Sequence, residues 1–327
     1  MNNPTLSLVD LYTPIRHDLA IAQRIFDDEL VSDLLVVNGL CEHIRSYHGK
    51  MLRPALLLLS AQATGEVSCA HHTLAAVVEM VHMATLVHDD VLDEADERRR
   101  QPTVSAGAGN VTAVLLGDHL ISHAFHLCSE LESQHASRRI GATTNTVCEG
   151  ELLQNHLRGD DRLGEGEYFD IIRRKTGALT AVCCELGAFY AGAEESVVQA
   201  MYAYGMSAGV AFQIIDDVLD IVGDRRQVGK TLGRDLSLGK LTLPTIHCLS
   251  AAGPATVSAL RAAVTGRGPC QPRQLRQWLD EAGSIEYAVS AAAGYVEDAL
   301  RRLDLVAPGD ARSSLVAMAE FTVERRY

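Results

Sequence analysis

Several large classes are excluded by what this chain lacks. Its apolar runs, "PALLLLSAQA" and "LLVVNGL" among them, fall short of the roughly 18 residues a membrane-spanning helix needs. The start, "MNNPTLSLVD", carries neither the basic segment nor the hydrophobic run of a secretory signal. Aromatic residues make up only 5% of the chain and alternating strand-like runs are scarce, which speaks against an all-β protein. The eight cysteines, at 41, 69, 128, 148, 183, 184, 248 and 270, form no Cys-x-x-Cys unit. Neither a zinc site nor a disulfide framework is indicated, and reduced packing residues are expected. Positive charge is also in deficit: the formal net charge of −13 opposes broad attraction to nucleic acid or anionic lipid. These absences predict a cytoplasmic protein with no nucleic-acid partner and no stable membrane insertion.

What is present is helical. The 327 residues are enough for one large domain or two ordinary ones, and 47% of them are hydrophobic, which suits a globular core. Apolar residues recur at three- and four-residue spacing, predicting helices near 18–40, 50–64, 72–93, 109–132, 138–157, 166–191, 195–222, 241–250, 274–304 and 310–323. The connectors are short and rich in turn residues: "ATGEVS", "RRRQPTVSAG", "RGDDRLGEGE", "GDRRQVGKTLGRDLSLGK" and "AAGPATV". With no long linker or low-complexity stretch, a single all-α domain over 1–327 is the expectation.

One short pattern occurs twice. The segment "HDDVLDEADERRRQPTV" begins at His88, and "FQIIDDVLDIVGD" begins at Phe212; each contains Asp-Asp-Val-Leu-Asp. At about 100° per residue, Asp89 and Asp93 share a helix face one turn apart, as do Asp216 and Asp220. Carboxylates so placed repel one another, by more where water is scarce. A solvated acidic face is the plain explanation, but both clusters end strongly apolar runs, "AAVVEMVHMATLV" and "MSAGVAFQII", where a solvated face would be more polar. Hard divalent cations prefer oxygen ligands, and Mg²⁺ takes one or two carboxylates together with waters and phosphate oxygens. Two such helices would hold Mg²⁺ for a diphosphate, which lets an acidic protein bind an anion.

The basic residues fall into groups that suit the same ligand. "HGKMLRP" places Lys50 and Arg53 at a helix start, where free N–H groups also favour phosphate. Arg98 and Arg99 follow the first Asp cluster, Lys175 and Thr176 sit in "RRKTG", and Lys230 and Lys240 lie in the glycine-rich "GKTLGRDLSLGK". Each alone reads as a surface charge; together with two Asp clusters they do not.

In order along the chain, "GKMLRP", "EMVHMATLVHDDVLDEADERRRQPT", "KTGALT", "FQIIDDVLD" and "GKTLGRDLSLGKLTLP", from about Gly49 to Pro244, resemble the trans-prenyltransferases, the polyprenyl diphosphate synthases, and among these the octaprenyl and heptaprenyl enzymes. The resemblance implies an isoprenoid-synthase-type helical bundle around a deep apolar cavity, usually homodimeric, with the two Asp motifs facing each other. It implies Mg²⁺ at Asp89, Asp93 and Asp216, with Asp90, Asp217 and Asp220 in direct or supporting roles. Lys50, Arg53, His82 and Arg99 match the isopentenyl diphosphate site. Arg98, Lys175, Thr176, Gln213, Lys230 and Lys240 match the allylic diphosphate site. The catalytic set so implied is Asp89, Asp93, Asp216, Lys175 and Lys230. The family commonly has Gly after its paired arginines, where this chain has Arg100.

Product length is read from the residues before the first motif. In the resemblance, short-chain synthases place a bulky aromatic four or five residues before the first Asp. Here those positions are Thr85 and Ala84, both small; Thr85 lies roughly below Asp89 on the same helix face, Val81 and Ala84 lie to the side, and Phe125 is a candidate floor. A product longer than twenty carbons is expected. The alternatives are a farnesyl or geranylgeranyl diphosphate synthase and a non-catalytic subunit of a heteromeric synthase. A His-Asp phosphohydrolase would leave the second Asp cluster unexplained, and a terpene cyclase has no use for the second diphosphate site.

Overall fold

The computed structural model describes residues 8–45, 47, 50–223 and 233–324, and helix dominates them. Among the described residues, strand is confined to Glu97–Arg98 and Gln101–Pro102, paired antiparallel with Arg98 opposite Gln101. The chain groups into two compact units. The first takes residues up to Thr144, Leu179–Gly205 and Leu300–Met318; the second takes Asn145–Ala178, Met206–Ala299 and Ala319 onward.

The first unit is built around the Cys69–Leu92 helix. From Leu74 to Val81 its sequence is apolar at every position but Glu79, and those apolar residues are 0–1% exposed. A helix that is apolar on all sides must be covered on all sides. The Arg16–Glu29, Leu52–Thr64 and Asn110–Ser129 helices pack against it. Its start is fixed by His71, whose Nδ1 accepts from the Ser68 N–H at 2.9 Å while Nε2 donates to the Gly187 carbonyl at 3.0 Å. Its end is closed by Asp93, whose N–H donates to the Asp89 carbonyl at 2.9 Å.

The second unit centres on 206–222 of the Glu195–Val222 helix. Ile214 and Val218 lie one turn apart and bury against Ile171, Leu243, Ile246 and Leu279.

The helix boundaries depart from the periodicity in instructive places. The expected 18–40 helix is two helices, Arg16–Glu29 and Leu35–Arg45. Between them the Asn38 amide clamps Ser32, accepting from its N–H at 2.8 Å and donating to its carbonyl at 2.7 Å. Such side-chain bonds compete with the helical ladder. The expected 274–304 helix breaks into Pro272–Glu281 and Ser284–Arg302 at Gly283, whose φ of +63° glycine tolerates without strain. "AAGPATV" is less of a break than it reads, because Pro254 opens the Pro254–Val264 helix, where its missing N–H costs nothing. One helix also corrects the composition argument. Asn110–Ser129 is long and apolar enough to cross a membrane, a pattern that core helices of globular domains share, and 39% of that stretch is buried in the fold.

Candidate active site

Towards the end of the Cys69–Leu92 helix, His82, Thr85, Asp89 and the cap residue Asp93 are partly open along one face, with Leu86, His88 and Val91 also partly open beside it, while Val78 and Val81 are closed at 0% and 1%. Thr85 donates its hydroxyl to the His82 carbonyl at 2.7 Å, so the strip between His82 and Asp89 offers a methyl group rather than a polar one. The second aspartate of the motif behaves differently. Asp90 is 2% exposed, and Arg98 grips it: Nε donates to both carboxylate oxygens at 2.9 and 3.1 Å, and Nη2 lies 2.8 Å from Oδ1. Arg98, matched above to the allylic diphosphate, is thus engaged with the motif's own carboxylate.

Arg98 reaches Asp90 through a tight hairpin. Arg99 and Arg100 form its two-residue loop with φ of +50° and +65°, the left-handed pair that a primed hairpin turn requires. The turn therefore survives with Arg100 in place of the family's Gly. It turns Arg99 toward Tyr47, to whose carbonyl its guanidinium donates. Tyr47 is itself buried, with its hydroxyl donating to the Pro102 carbonyl at 3.0 Å. Lys50 is exposed just before the Leu52–Thr64 helix, and Arg53 lies in that helix's first turn. Burial, reinforced by the guanidinium charges of Arg53, Arg98 and Arg99, holds His82 well below the usual histidine range. A neutral imidazole thus stands among three cations.

The second motif is held by neutral donors. Asp216 is exposed, Asp220 is intermediate and Asp217 is 6% exposed. Asp217 accepts from the Tyr168 hydroxyl at 2.7 Å and from Gln213 Nε2 at 2.8 Å. Burial, with the Asp235 carboxylate next in importance, pushes Asp217 well above the ordinary aspartate range. Gln213 in turn accepts from the Thr176 hydroxyl at 2.7 Å. Asp220 Oδ2 accepts from the Asp235 N–H at 3.2 Å.

Lys175 and Thr176 occupy a feature that periodicity does not signal. The Arg173–Gly177 segment is π-helical, a widened turn that is frequent at functional sites. Gly150 lets it approach, since a Cβ there would lie 2.8 Å from the Lys175 nitrogen. Lys175 Nζ pairs with Glu151 and donates to Gln154 Oε1 at 3.0 Å. Lys240 is 7% exposed, and its N–H donates to the Asp235 carbonyl at 2.8 Å. Lys230 lies outside the described residues.

Of the residues matched to product length, Thr85 is partly open, whereas Ala84 has no accessible surface and Val81 only 1%. An aromatic ring at Ala84 would overpack the core before it could fill a channel. Phe125 is 36% exposed, its ring 3.7 Å from where a Cβ on Gly141 would stand. A ring that open needs a covering element before it can act as a floor.

Glu79, Tyr168, Glu151, Gln154 and Asp235 entered the site only through the structure. Of these, Glu79 had a readable signal, a single carboxylate inside "AAVVEMV".

Among the described residues, no group of three or more His, Cys, Asp or Glu side chains is gathered as a metal cage. Each unit offers accessible carboxylate oxygens of its own, Asp89 and Asp93 in the first and Asp216 in the second, the donor type that suits a hard dication completed by water and phosphate oxygens.

The polyprenyl synthetase family model matches residues 35–282. Octaprenyl diphosphate synthase of Escherichia coli strain K12 is 33% identical over 309 residues, covering 94% of this chain and 96% of that protein. The all-trans-nonaprenyl-diphosphate synthase (geranyl-diphosphate specific) of Rhodobacter capsulatus is 34% identical over 317 residues, 97% of each chain. A polyprenyl synthase from Caulobacter crescentus CB15, crystallised with calcium and isoprenyl diphosphate, superposes with a TM-score of 0.94 at 32% identity over the full length of both chains. The fold is accordingly the all-α fold of the polyprenyl synthases.

Proposed function

The chain belongs to the polyprenyl synthetase family, and on that premise we propose that it is a prenyltransferase joining isopentenyl diphosphate head-to-tail to an allylic diphosphate, giving a trans-polyprenyl diphosphate longer than twenty carbons. The observation that carries this reading is the open strip along the end of the Cys69–Leu92 helix and its cap, which runs from neutral His82 past the small Thr85 to the carboxylates Asp89 and Asp93. A strip that is apolar between a basic cluster and a pair of carboxylates suits two diphosphates and a hydrocarbon.

Asp89, Asp93 and Asp216 would hold Mg²⁺, with Asp90, Asp217 and Asp220 supporting them. When bound, the ion supplies charge neutralisation on a diphosphate. The protein's own groups do the rest. Lys175, Lys230, Lys240, Thr176 and Gln213 orient the allylic diphosphate and stabilise the negative charge that grows on it as its C–O bond breaks. Lys50, Arg53, His82 and Arg99 orient isopentenyl diphosphate so that its double bond attacks the allylic carbocation. The released pyrophosphate accepts the proton whose loss restores an allylic product five carbons longer. The apolar lining excludes water that would quench the cation. The 327 residues act as one synthase domain in the cytoplasm. They pair with a second copy, a reading supported by the exposed apolar residues Leu34, Leu35, Val111 and Leu115, which are 57–87% exposed. Sedimentation at micromolar concentration checks that pairing.

The test is direct. The purified chain with Mg²⁺, isopentenyl diphosphate and an allylic primer should yield prenyl diphosphates longer than twenty carbons by mass spectrometry; no product at all overturns the reading. Thr85→Phe should cut the product to fifteen or twenty carbons, since a ring there fills the open strip. An unchanged product length removes Thr85 as its determinant.

A further inference from the structure

The Cys69–Leu92 helix carries one charged residue that the mechanism has not used. Glu79 sits in the most apolar part of the core, 2% exposed, one turn from His82. Burying a carboxylate costs several kcal/mol unless something compensates it. Yet its Oε2 has no hydrogen-bond partner, and neither has the buried Nε of Arg53. The compensation comes through space, from Arg53 on the Leu52–Thr64 helix and Arg99 on the 97–102 hairpin. These are the two guanidiniums assigned above to isopentenyl diphosphate.

We propose that Glu79 is a positioning residue of the isopentenyl diphosphate site: its carboxylate holds Arg53 and Arg99 in register while no diphosphate is bound, and it takes up a proton from solvent when the diphosphate binds. The proposal rests on the reading of Arg53 and Arg99 as diphosphate ligands. A diphosphate brought to the same two cations makes the carboxylate redundant as their counter-charge and repels it in its ionised form. The least costly answer is for Glu79 to become neutral.

The neighbours make Glu79 the member of this cluster placed to do so. Burial, opposed by Arg53 and Arg99, leaves its carboxyl raised to about 7. Cys183, which faces the pair from the Ala178–Tyr190 helix, is pushed by burial well above the usual thiol range and remains a thiol at neutral pH. His82, on the same helix as Glu79, is neutral for the opposite reason, burial and guanidinium charge holding it well below its usual range. Arg53 and Arg99 remain cations throughout.

The sign of the linkage follows. Below about pH 7 Glu79 is protonated with or without diphosphate, and it adds no pH dependence to binding. Above about pH 7 the free protein has lost the proton that the bound protein keeps, so affinity for isopentenyl diphosphate falls with rising pH, by up to about tenfold per unit. The diphosphate cannot imitate this uptake. Cations lower the pKa of a phosphate, so its own proton is released on binding rather than taken up.

Two measurements test the proposal on the full chain. The KM for isopentenyl diphosphate, followed from pH 6 to 9, should climb above pH 7 in the unmodified protein and much less in Glu79→Gln, which keeps the shape of the protonated acid. The KM for the allylic primer should show no such difference. Calorimetry of isopentenyl diphosphate binding without primer, in two buffers of different ionisation heat, should find net proton uptake at pH 8 in the unmodified protein. The same slope in both proteins, or no uptake in the unmodified one, overturns the role of Glu79. The calorimetric result decides the matter even if Glu79→Gln does not fold. If isopentenyl diphosphate does not bind at all, or Arg53→Ala binds it as well as the unmodified chain, the assignment of the site falls and Glu79 with it. Tight binding with no proton change sinks Glu79 alone.

Discussion

The two Asp-Asp-Val-Leu-Asp segments have identical letters and different electrostatics. In both, the first aspartate is more open than the second, and the second is driven into its unit to 2% exposure at Asp90 and 6% at Asp217. The helical period explains that much, since residues one apart point about 100° away from each other. The difference lies in what meets the buried carboxylate. Asp90 meets a guanidinium, two-pronged and close. Asp217 meets the Tyr168 hydroxyl and the Gln213 amide, with another carboxylate, Asp235, near enough to raise it. One motif thus has its inner charge cancelled locally, and the other holds an inner carboxyl for which ionisation is costly. A repeated motif fixes which aspartates turn outward; its surroundings fix the state of those that turn inward.

The outward residues carry the largest expected effect, and they should behave alike in both motifs. Asp89→Ala and Asp216→Ala should each lower turnover by several orders of magnitude, the consequence of losing several kcal/mol at the transition state. Both residues reach solvent, so melting temperatures should move little. Near-normal turnover in either folded variant would break the pairing of the motifs.

The inward residues should separate them. Arg98→Met strands the Asp90 charge in a buried position and should cost about 3–5 kcal/mol of stability in chemical denaturation. Replacing Arg98 and Asp90 together by Met and Leu should restore most of that loss, because a buried ion pair is worth little over a packed apolar pair. Tyr168→Phe removes one neutral donor from Asp217 and should cost less, about 1–3 kcal/mol. If Tyr168→Phe proves the more damaging, the contrast between charged and neutral support is wrong.

How far the sequence carries this picture depends on the kind of contact. The shared face of Asp89 and Asp93 follows from a period of 3.6, and the same period separates Thr85 from Ala84. Thr85 is four residues from Asp89 and so about 40° off its direction, whereas Ala84 is five residues away and about 140° off. Angle therefore agrees with the structure, where Thr85 is partly open and Ala84 closed. The inner partners were not legible. Tyr168 stands 49 residues from Asp217, and nothing local in "GEYFD" announces a bond to it. The π-helical turn at Arg173–Gly177 is equally silent, because "RRKTG" is compatible with an ordinary helix and the extra residue is accommodated by the approach of Gly150. Pro254, inside the connector "AAGPATV", opens a helix, proline being tolerated in a helix's first turn. Periodicity reports faces, and tertiary partners decide what the faces meet.

The smallest expected effect concerns how Asp90 acquires its guanidinium. Arg98 is delivered by a two-residue hairpin loop in which Arg100 sits at φ +65°, a conformation that strains any residue with a Cβ by about 1 kcal/mol and that glycine adopts freely. The loss of the Arg100 side chain can be separated from relief of its backbone by comparing two variants. Arg100→Ala and Arg100→Gly both remove the guanidinium, and they differ in whether a Cβ remains. In a helix interior glycine would be the worse of the two by roughly 0.5–1 kcal/mol. At this turn the order should invert, with Arg100→Gly more stable than Arg100→Ala by about 1 kcal/mol in denaturant titrations of unchanged m-value. The second motif has its partner Gln213 one turn away on its own helix and needs no such turn, so the effect belongs to the first motif alone. Equal stability of the two variants would show that the hairpin is unstrained, and that Arg98 reaches Asp90 at no conformational cost.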